Sequence, residues 1–327
     1  DRIYRVGYYG VVQGNTMHGV QACPTLEPVL NQDFPEVEVA TKFSKLGYPV
    51  MRYGDKVFSE ERYFAADPHF FEVFQIPFIA GDPETALSKP SSMVINQSTA
   101  EKYFGDENPI GKTLNSDNRR DWLVTGVVKD MPKNAHFHFD LLVSMSSYRG
   151  MGEETTWISN NYYTYFILQK GVDWKTFEQK LQQEEIKYIE PQVAEMFGVS
   201  WEQMLQAGNE YYHFLQPLTW IHLHSHLEHE LEPNGDMIYV TIFIIAALGI
   251  LILAVANFVN LSTARSMNRA REVGIRKSVG STRTILIRQF LTESLIYVFI
   301  SMILALLLVQ IVLPAFQKLT GKSLALP

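Results

Sequence analysis

Residues 237–264 read MIYVTIFIIAALGILILAVANFVNLSTA, and this stretch decides the architecture of the chain. Its 28 residues include no Asp, Glu, Lys or Arg. At ~1.5 Å per residue, a helix of this length can cross a hydrocarbon core of ~30 Å. A second run, Ser294–Gln317, has 24 residues without a charge. We therefore predict two transmembrane helices, at about 237–263 and 285–314.

The charges on the two sides of residue 236 have opposite signs. Residues 1–236 carry 19 basic and 33 acidic side chains, a net charge of −14, whereas residues 237–327 carry nine basic and two acidic ones, a net charge of +7. Seven of the nine lie between the two apolar runs. Because short loops rich in Lys and Arg stay in the cytoplasm, we predict a cytoplasmic basic turn at 265–284 and place residues 1–236 outside. The acidic part gives no reason to expect nucleic-acid binding.

Two further expectations come from the N-terminus of the chain and from its cysteine content. An N-terminal domain outside the membrane needs an export signal, so we expect a transmembrane helix upstream of residue 1. Cys23 is the only cysteine, which excludes an intrachain disulfide. The alternative to a membrane protein is a soluble protein with two buried helices, but two runs of this length around a basic turn are rare in soluble cores.

The N-terminal part alternates between strand-like and helix-like segments, which predicts an α+β domain. Within it, residues 56–65 read as hairpin strands. Composition changes near Ser144, and we predict a helical second lobe at about 144–216. One helix there, Asp173–Glu190, should end before Pro191, with residues 182–185 on a solvated face. The predicted fold class is a two-lobed α+β extracytoplasmic domain followed by transmembrane α-helices.

One segment resembles a phosphate-binding loop but has the wrong spacing. Residues 105–113 read GDENPIGKT, with five residues between the two glycines where the nucleotide motif has four. Pro109 also removes a backbone N–H that such a loop would use. We therefore predict a turn here and no nucleotide site.

Alternating histidines form the other candidate site. On a strand, His222, His224 and His226 would share one face and could hold zinc, but no clear fourth ligand accompanies them, and we interpret them as surface residues. His136 and His138 alternate near serines without a nucleophile-elbow pattern. We predict no catalytic residue, no metal and no cofactor site on this chain.

The charged residues of the basic turn follow a regular helical spacing. Arg265, Arg269, Glu272 and Arg276 follow at i, i+4, i+7 and i+11, which places them on one helical face. Gly280 is placed to end that helix. Anchoring to anionic lipid does not require a regular spacing of basic residues, and Glu272 would weaken it. The pattern therefore favours docking of a protein partner over lipid anchoring alone.

These segments resemble a known family. Residues 257–265 (NFVNLSTAR), 269–281 (RAREVGIRKSVGS) and 289–294 (QFLTES) resemble the FtsX-like permease domain of MacB-type ABC transporters. Residues 104–112 (FGDENPIGK) and 125–132 (TGVVKDMP) are similar to the MacB-like periplasmic core domain.

The resemblance implies a periplasmic core domain at 1–232 and an incomplete permease domain at 233–327. It implies a bacterial inner-membrane, multi-pass protein with residues 1–236 in the periplasm. The family has one helix before the periplasmic domain and three after it. Its ATP-binding subunit is a partner, so ATP and Mg²⁺ would bind there. The residues that map to the ATPase contact are Arg265, Arg269, Arg271, Glu272, Gly274, Arg276, Lys277 and Gly280.

The resemblance also implies a function. Such permeases couple ATP-driven motion below the membrane to movement of the periplasmic lobes, called mechanotransmission, and so export or release a substrate. The implied partners are the ABC ATP-binding subunit, a second permease unit, membrane lipid, and a periplasmic adaptor with an outer-membrane channel. The alternative is an FtsX-like signalling or regulatory membrane protein that controls a cell-wall hydrolase or senses antimicrobial peptides. The sequence does not identify the substrate.

Overall fold

The computed structural model describes residues 2–280 and 282–320, and for residues 265–269, 271, 272, 319 and 320 it describes the backbone only. The chain divides into two compact units, Asp1–Tyr239 and Val240–Pro327. The boundary falls three residues after the start of the first predicted membrane helix.

The first unit contains strands and helices in alternation. Its strands are β1 (Ile3–Val12), β2 (Asn15–Gly19), β3 (Val37–Lys45), β4 (Val50–Tyr53), β5 (Lys56–Ser59), β6 (Tyr63–Ala66), β7 (Phe78–Gly81), β8 (Ser92–Asn96), β9 (Thr113–Ser116), β10 (Arg120–Val128), β11 (Leu141–Ser144), β12 (Tyr163–Leu168) and β13 (Glu210–Pro217). Its helices are α1 (Leu26–Asp33), α2 (Phe70–Phe74), α3 (Gln97–Phe104), α4 (Trp174–Phe197), α5 (Trp201–Gln206) and α6 (Leu218–His224).

The described strands of this unit form one mixed sheet with two halves. The strand order is β13-β1-β12-β3-β6-β11-β8-β10-β9-β4-β5, with β2 paired to β1 and β7 paired to β10. The strands from β4 to β11 are inserted in the chain between β3 and β12, and they make the second half. The mixed α/β character that the sequence predicts is confirmed.

The boundaries of the halves differ from the predicted helical lobe at 144–216. The helices α4 and α5 do fall in that segment, but β12 and β13 fall there too and both pair with β1. The segment therefore belongs to the half that holds the N-terminal strands, and the inserted half comes earlier in the chain. Helix-rich composition does not reveal which sheet the intervening strands join, because that depends on pairing with strands far away in sequence.

Three clusters of buried side chains hold the unit together. One packs α1 and α4 on the first half and includes Leu26, Phe166 and Phe177. A second packs α3 on the inserted half, around Tyr103 and Trp122. The third joins both halves. It includes Phe43, Phe64, Val94 and Tyr165, from β3, β6, β8 and β12 respectively.

Local signals explain some elements and not others. The Asn96 side chain accepts a hydrogen bond from the Thr99 backbone N–H at 2.8 Å, which caps α3 at its start. Gly105, with φ +61°, ends the helix. The predicted hairpin at 56–65 is wrong, because β5 pairs with β4 whereas β6 pairs with β3 and β11.

Helix α4 continues through Pro191 to Phe197, so the predicted end at residue 190 is wrong. Ile189 and Val193, on either side of the proline, are buried in the same cluster, and this packing outweighs the lost backbone hydrogen bond. The Gln192 side chain also bonds both the Trp157 N–H, at 2.7 Å, and a nearby carbonyl. Gly198, with φ +69°, ends the helix instead.

One face of α4 covers the open edge of β13. Glu178 accepts a hydrogen bond from the Leu215 N–H at 2.6 Å, and Gln182 donates to the His213 carbonyl at 2.9 Å. Glu185 accepts from the His213 N–H at 3.0 Å and lies 2.8 Å from the imidazole Nδ1. The predicted solvated face at 182–185 is therefore wrong for Glu185, which is buried.

The second unit consists of two long helices, α7 (Met237–Ser278) and α8 (Arg283–Thr320). The stretches Met237–Ala264 and Arg283–Lys318 have mean hydropathies of 2.9 and 2.8 and are long enough to cross a membrane. Most of their side chains are exposed, and these two candidate spans agree with the predicted pair. Both helices are longer than predicted, because α7 continues beyond residue 263 and α8 extends in both directions past 285–314.

Candidate functional site

The predicted basic turn is mostly helix. Residues 265–278 continue α7, so only residues 279–282 connect the two helices. A single Gly274 costs ~1 kcal/mol relative to Ala, which does not end this helix, since most of the other residues in 265–278 are Arg, Lys, Glu, Ala or Met, all good helix formers. The helix ends near Gly280, whose φ of +97° is left-handed, and Thr282 O accepts from the N–H groups of the first turn of α8.

The predicted contact residues therefore lie on helix α7 and in the connection that follows it. Positions 265, 269, 272 and 276 fall within α7 and share one side of it by helical spacing. The side chains of Arg265, Arg269, Arg271 and Glu272 lie outside the described part of the structure. Gly274 and Lys277 are exposed, and Gly280 lies in the connection.

One described interaction joins the two helices at this end. The Arg276 Nη1 donates to the Gln289 Oε1 at 2.5 Å, across the connection. The two residues lie on α7 and α8, so this hydrogen bond fixes the position of one helix relative to the other close to the connection. Sequence reasoning assigned Arg276 to a partner contact and did not identify Gln289.

A second candidate element lies at the other end of α7, in residues 225–236, which we call the strap. Arg5 on β1 is fully buried and forms a bidentate pair with Glu230 of the strap, at 2.7 and 2.9 Å. Arg5 also donates to Ser225 at 2.9 Å and to Gln216 at 2.6 Å. A bidentate arginine–carboxylate pair is among the stronger side-chain interactions, so the strap is fixed firmly to the first half of the sheet.

The strap also contacts the inserted half. Glu232 accepts a hydrogen bond from the His138 backbone N–H at 2.9 Å and lies 3.0 Å from its imidazole Nδ1. Arg62, just before β6, is 3.8 Å from the same carboxylate. Leu231 is buried in the cluster that joins both halves, and Tyr163 donates to the His229 carbonyl at 2.9 Å.

The strap thus fixes both halves of the sheet to one short segment, and α7 begins at the next residue, Met237. Sequence reasoning missed this element. The available signals were a lone Arg5 in an otherwise apolar strand start and three glutamates within residues 228–232. A buried arginine requires a carboxylate partner, but the sequence does not say which of many acids supplies it.

The alternating histidines lie on a helix, not on a strand. His222 and His224 belong to α6, so helical spacing turns them to different sides. His226 follows the helix, and its Nε2 is 3.6 Å from Asp236 of the strap. No group of three metal-binding side chains occurs among the residues that the structure describes.

His136 is half-buried beside the strap network. Its Nε2 is 2.8 Å from the Tyr165 hydroxyl. Burial lowers the pKa of His136 to about 3, with a smaller contribution from the Arg5 charge. This imidazole is neutral at physiological pH and serves as a half-buried, hydrogen-bonded side chain.

The residues that resemble a phosphate loop form a turn. Gly105 ends α3, and the Gly111 N–H donates to the Val124 carbonyl at 2.9 Å. The Lys112 ammonium pairs with the nearby Glu107 carboxylate. The Gly111 N–H and the lysine therefore both have partners within the domain.

Comparison with known proteins agrees with this architecture. The MacB-like periplasmic core domain matches residues 2–184, and the FtsX-like permease C-terminal domain matches residues 244–327. No curated protein matches the chain significantly.

Three solved structures are similar to the first unit. A domain of a protein assigned as a permease, from Porphyromonas gingivalis, is 25% identical with a TM-score of 0.56, over 66% of this chain and 90% of that one. The periplasmic region of MacB from Actinobacillus actinomycetemcomitans is 15% identical with a TM-score of 0.46, over 67% and 90% of the two chains. The extracellular domain of the ABC-type transporter YknZ from Gram-positive bacteria is 14% identical with a TM-score of 0.37, over 66% and 100%.

The first domain match covers more than half of the chain, and the second covers the unit with the two apolar helices. The likeness to the Porphyromonas gingivalis domain shows that the sheet of the first unit has the fold of a permease domain. The chain therefore belongs to the MacB/FtsX family of membrane permeases, with a MacB-like periplasmic core domain followed by an FtsX-like permease domain.

Proposed function

We propose that this chain is the permease subunit of an ABC transporter in the bacterial inner membrane, a multi-pass protein with residues 1–236 in the periplasm. It converts ATP hydrolysis by a partner subunit into displacement of the periplasmic domain, and this displacement exports or releases a substrate. One observation carries the proposal: α7 runs without interruption from the end of the strap to the basic segment.

The length of α7 supports a mechanical role. Its 42 residues measure about 63 Å at ~1.5 Å per residue, about twice the ~30 Å hydrocarbon core. Residues 265–278 therefore extend the helix about 20 Å past the apolar run. A displacement of that extension is transmitted to the strap by one continuous helix, α7. The strap in turn is fixed to both halves of the sheet.

The apolar composition of the spans also favours a mechanical role for these helices over a role as the lining of a transport pore. Residues 237–264 include no Asp, Glu, Lys or Arg. Proton and ion pathways require ionisable side chains within the membrane. We propose that substrate moves on the periplasmic side and does not pass between these helices.

The proposal assigns the partners by location. The ABC ATP-binding subunit docks on the face that includes Arg265, Arg269, Glu272 and Arg276, and it binds the ATP and Mg²⁺. Two permease units act as a dimer, since ATP-driven closure below the membrane needs two levers. A periplasmic adaptor and an outer-membrane channel complete an export path, and anionic lipid surrounds the basic segment.

The test reverses the charges of the docking face. The double variant Glu272→Arg/Arg276→Glu is reconstituted with the cognate ATPase in lipid nanodiscs, and ATP hydrolysis is measured. Spin labels at an introduced Glu84→Cys in each protomer report the distance between periplasmic domains with and without ATP. We expect the variant to lose the ATP-dependent distance change while the permease still inserts into the membrane.

The matched control is Lys318→Glu, which reverses one exposed charge at the far end of α8. It should retain both hydrolysis and the distance change. A double variant that still shows the full ATP-dependent change would refute the docking role. An ATP-independent distance in the wild type would refute the mechanical proposal.

A further inference from the structure

A cavity of about 310 Å³ opens between the β1–β2 hairpin and the ends of α4 and α5. Its walls are mainly apolar, and three of its lining residues are methionines: Met17, Met196 and Met204. Met196 and the adjoining Phe197 are 64% and 57% exposed. Large apolar side chains around an open cavity are the usual lining of a ligand site, and the volume is at the lower end of the range for small molecules.

The floor of the cavity is polar and fixed. The Tyr211 hydroxyl donates to the Trp157 carbonyl at 2.9 Å and lies 3.1 Å from the Asn160 Oδ1. Tyr211 and Asn160 both line the cavity. The cavity therefore combines a hydrogen-bonded base with adaptable walls, since methionine side chains adjust to irregular apolar shapes.

The chain segments around the cavity are acidic without any basic residue. They are residues 6–20, 150–169 and 188–212, which together contain no Lys or Arg. Their acidic residues are Glu153, Glu154, Glu190, Glu195, Glu202 and Glu210. Lys42 of β3 donates to the Gly152 carbonyl at 2.8 Å and pairs with Glu27. Neither Lys nor Arg is among the residues described as lining the cavity, so the carboxylates there favour a cation over an anion.

Two of these glutamates lie at the cavity itself. Glu210 is a lining residue. Glu195 lines an adjoining cavity of about 410 Å³, which shares Thr156 and Met196 with the first. Both glutamates are exposed, so their carboxylates can meet a positive group at the mouth.

We propose that this cavity binds an amphiphilic organic cation. The apolar body of the ligand packs against Met17, Met196 and Met204, and its ammonium group lies near Glu195 and Glu210. The apolar walls select a hydrophobic body, and the glutamates at the mouth select the charge. The proposal does not depend on the coupling role of α7, because binding here requires neither the ATPase nor the membrane helices to move.

The probes are three compounds with one phenylbutyl body and different head groups: 4-phenylbutylammonium, 4-phenylbutanol and 4-phenylbutanoate. The full chain, in nanodiscs of zwitterionic lipid, is labelled with ¹³C-methyl methionine and titrated with each. We expect the cation to shift the signals of Met17, Met196 and Met204. The signals of Met51 and Met93, buried in the inserted half of the sheet, serve as internal controls and should not move.

The variants test the charge selection. Glu195→Gln and Glu210→Gln should each weaken binding of the cation about two- to fivefold, the range for an exposed charge pair, and leave the affinity for the alcohol unchanged. Glu61→Gln, an exposed glutamate of the inserted half, should have no effect. Equal affinity for the cation and the carboxylate probe, or shifts at Met51 and Met93 in place of the cavity methionines, would overturn the proposal. Such an outcome would leave the ATP-dependent distance change untouched, so the two proposals fail separately.

Discussion

Replacing Glu230 by Gln should destabilise the periplasmic domain strongly, because it leaves a buried guanidinium without its counter-charge. Arg5 is 0% exposed and Glu230 is 15% exposed. Breaking one partner of a buried ion pair costs ~3–5 kcal/mol. The partial exposure of Glu230 and the retained amide oxygen favour the lower end, so we expect about 3 kcal/mol. For a unit of this size, that corresponds to a fall in Tm of about 6–12 °C.

The assay is thermal unfolding of the periplasmic unit, monitored by tryptophan fluorescence. The matched control is Glu38→Gln, which removes the partner of Arg2, the residue immediately before β1. The Arg2–Glu38 pair is as short, at 2.5 Å, but its side chains are 37% and 44% exposed. An exposed pair contributes ~0–1 kcal/mol, so this variant should lose less than about 4 °C.

The pair energy itself comes from a double-mutant cycle. Arg5→Met and Glu230→Leu should each be about as damaging as Glu230→Gln, whereas the combined Arg5→Met/Glu230→Leu variant should regain part of the loss, since it removes both buried charges. If Glu230→Gln lowers Tm no more than Glu38→Gln does, then the buried pair does not fix the strap and the argument fails.

Three further predictions concern the same unit. Burial raises the pKa of the Cys23 thiol to about 12, so a maleimide should label it only after denaturation, and labelling of the native protein would contradict the fold. Burial lowers the pKa of His136 from 6.5 to about 3; the unfolded chain therefore takes up this proton first, and stability should fall by up to ~1.4 kcal/mol per pH unit below pH ~6.5. Urea unfolding at pH 7 and 5 should show a smaller difference for His136→Asn, and an equal difference would refute the assignment. Finally, a Cβ at Gly7 would come 2.4 Å from the Phe214 ring and 2.8 Å from the Gly19 carbonyl; Gly7→Ala should cost about 1–3 kcal/mol in urea unfolding, and wild-type stability would contradict this packing.

Elements whose cause is local have their signals in one short stretch of the sequence. Helix α3 has its cap at Asn96 and its terminating glycine at 105 within the same short stretch, and the two apolar runs give the spans directly. Pairing of strands was not predictable in this way. The alternation in residues 56–65 is the same whether β5 and β6 pair with each other or with other strands, and only the tertiary structure selects between these pairings.

The candidate site shows the same limit. The order of bases in residues 265–276 was visible, and the helix predicted there, ended by Gly280, is present; the sequence did not show that it is continuous with the first apolar run. The strap was invisible because Arg5 and Glu230 are 225 positions apart. Nothing in the spacing of either residue indicates the other. Which two residues form a buried pair at that separation is determined by the packing of the whole sheet.

The cover that α4 provides for β13 limits how two copies of this domain can meet. An uncovered edge strand recruits the strand of another molecule, but here Glu178, Gln182 and Glu185 take up backbone groups of His213 and Leu215 that a new strand would need. Side chains of α4 thus make the backbone hydrogen bonds that a neighbouring strand would otherwise make with β13. Sheet-to-sheet growth is therefore blocked at this end, so two copies of this domain brought side by side here would not fuse into one continuous sheet.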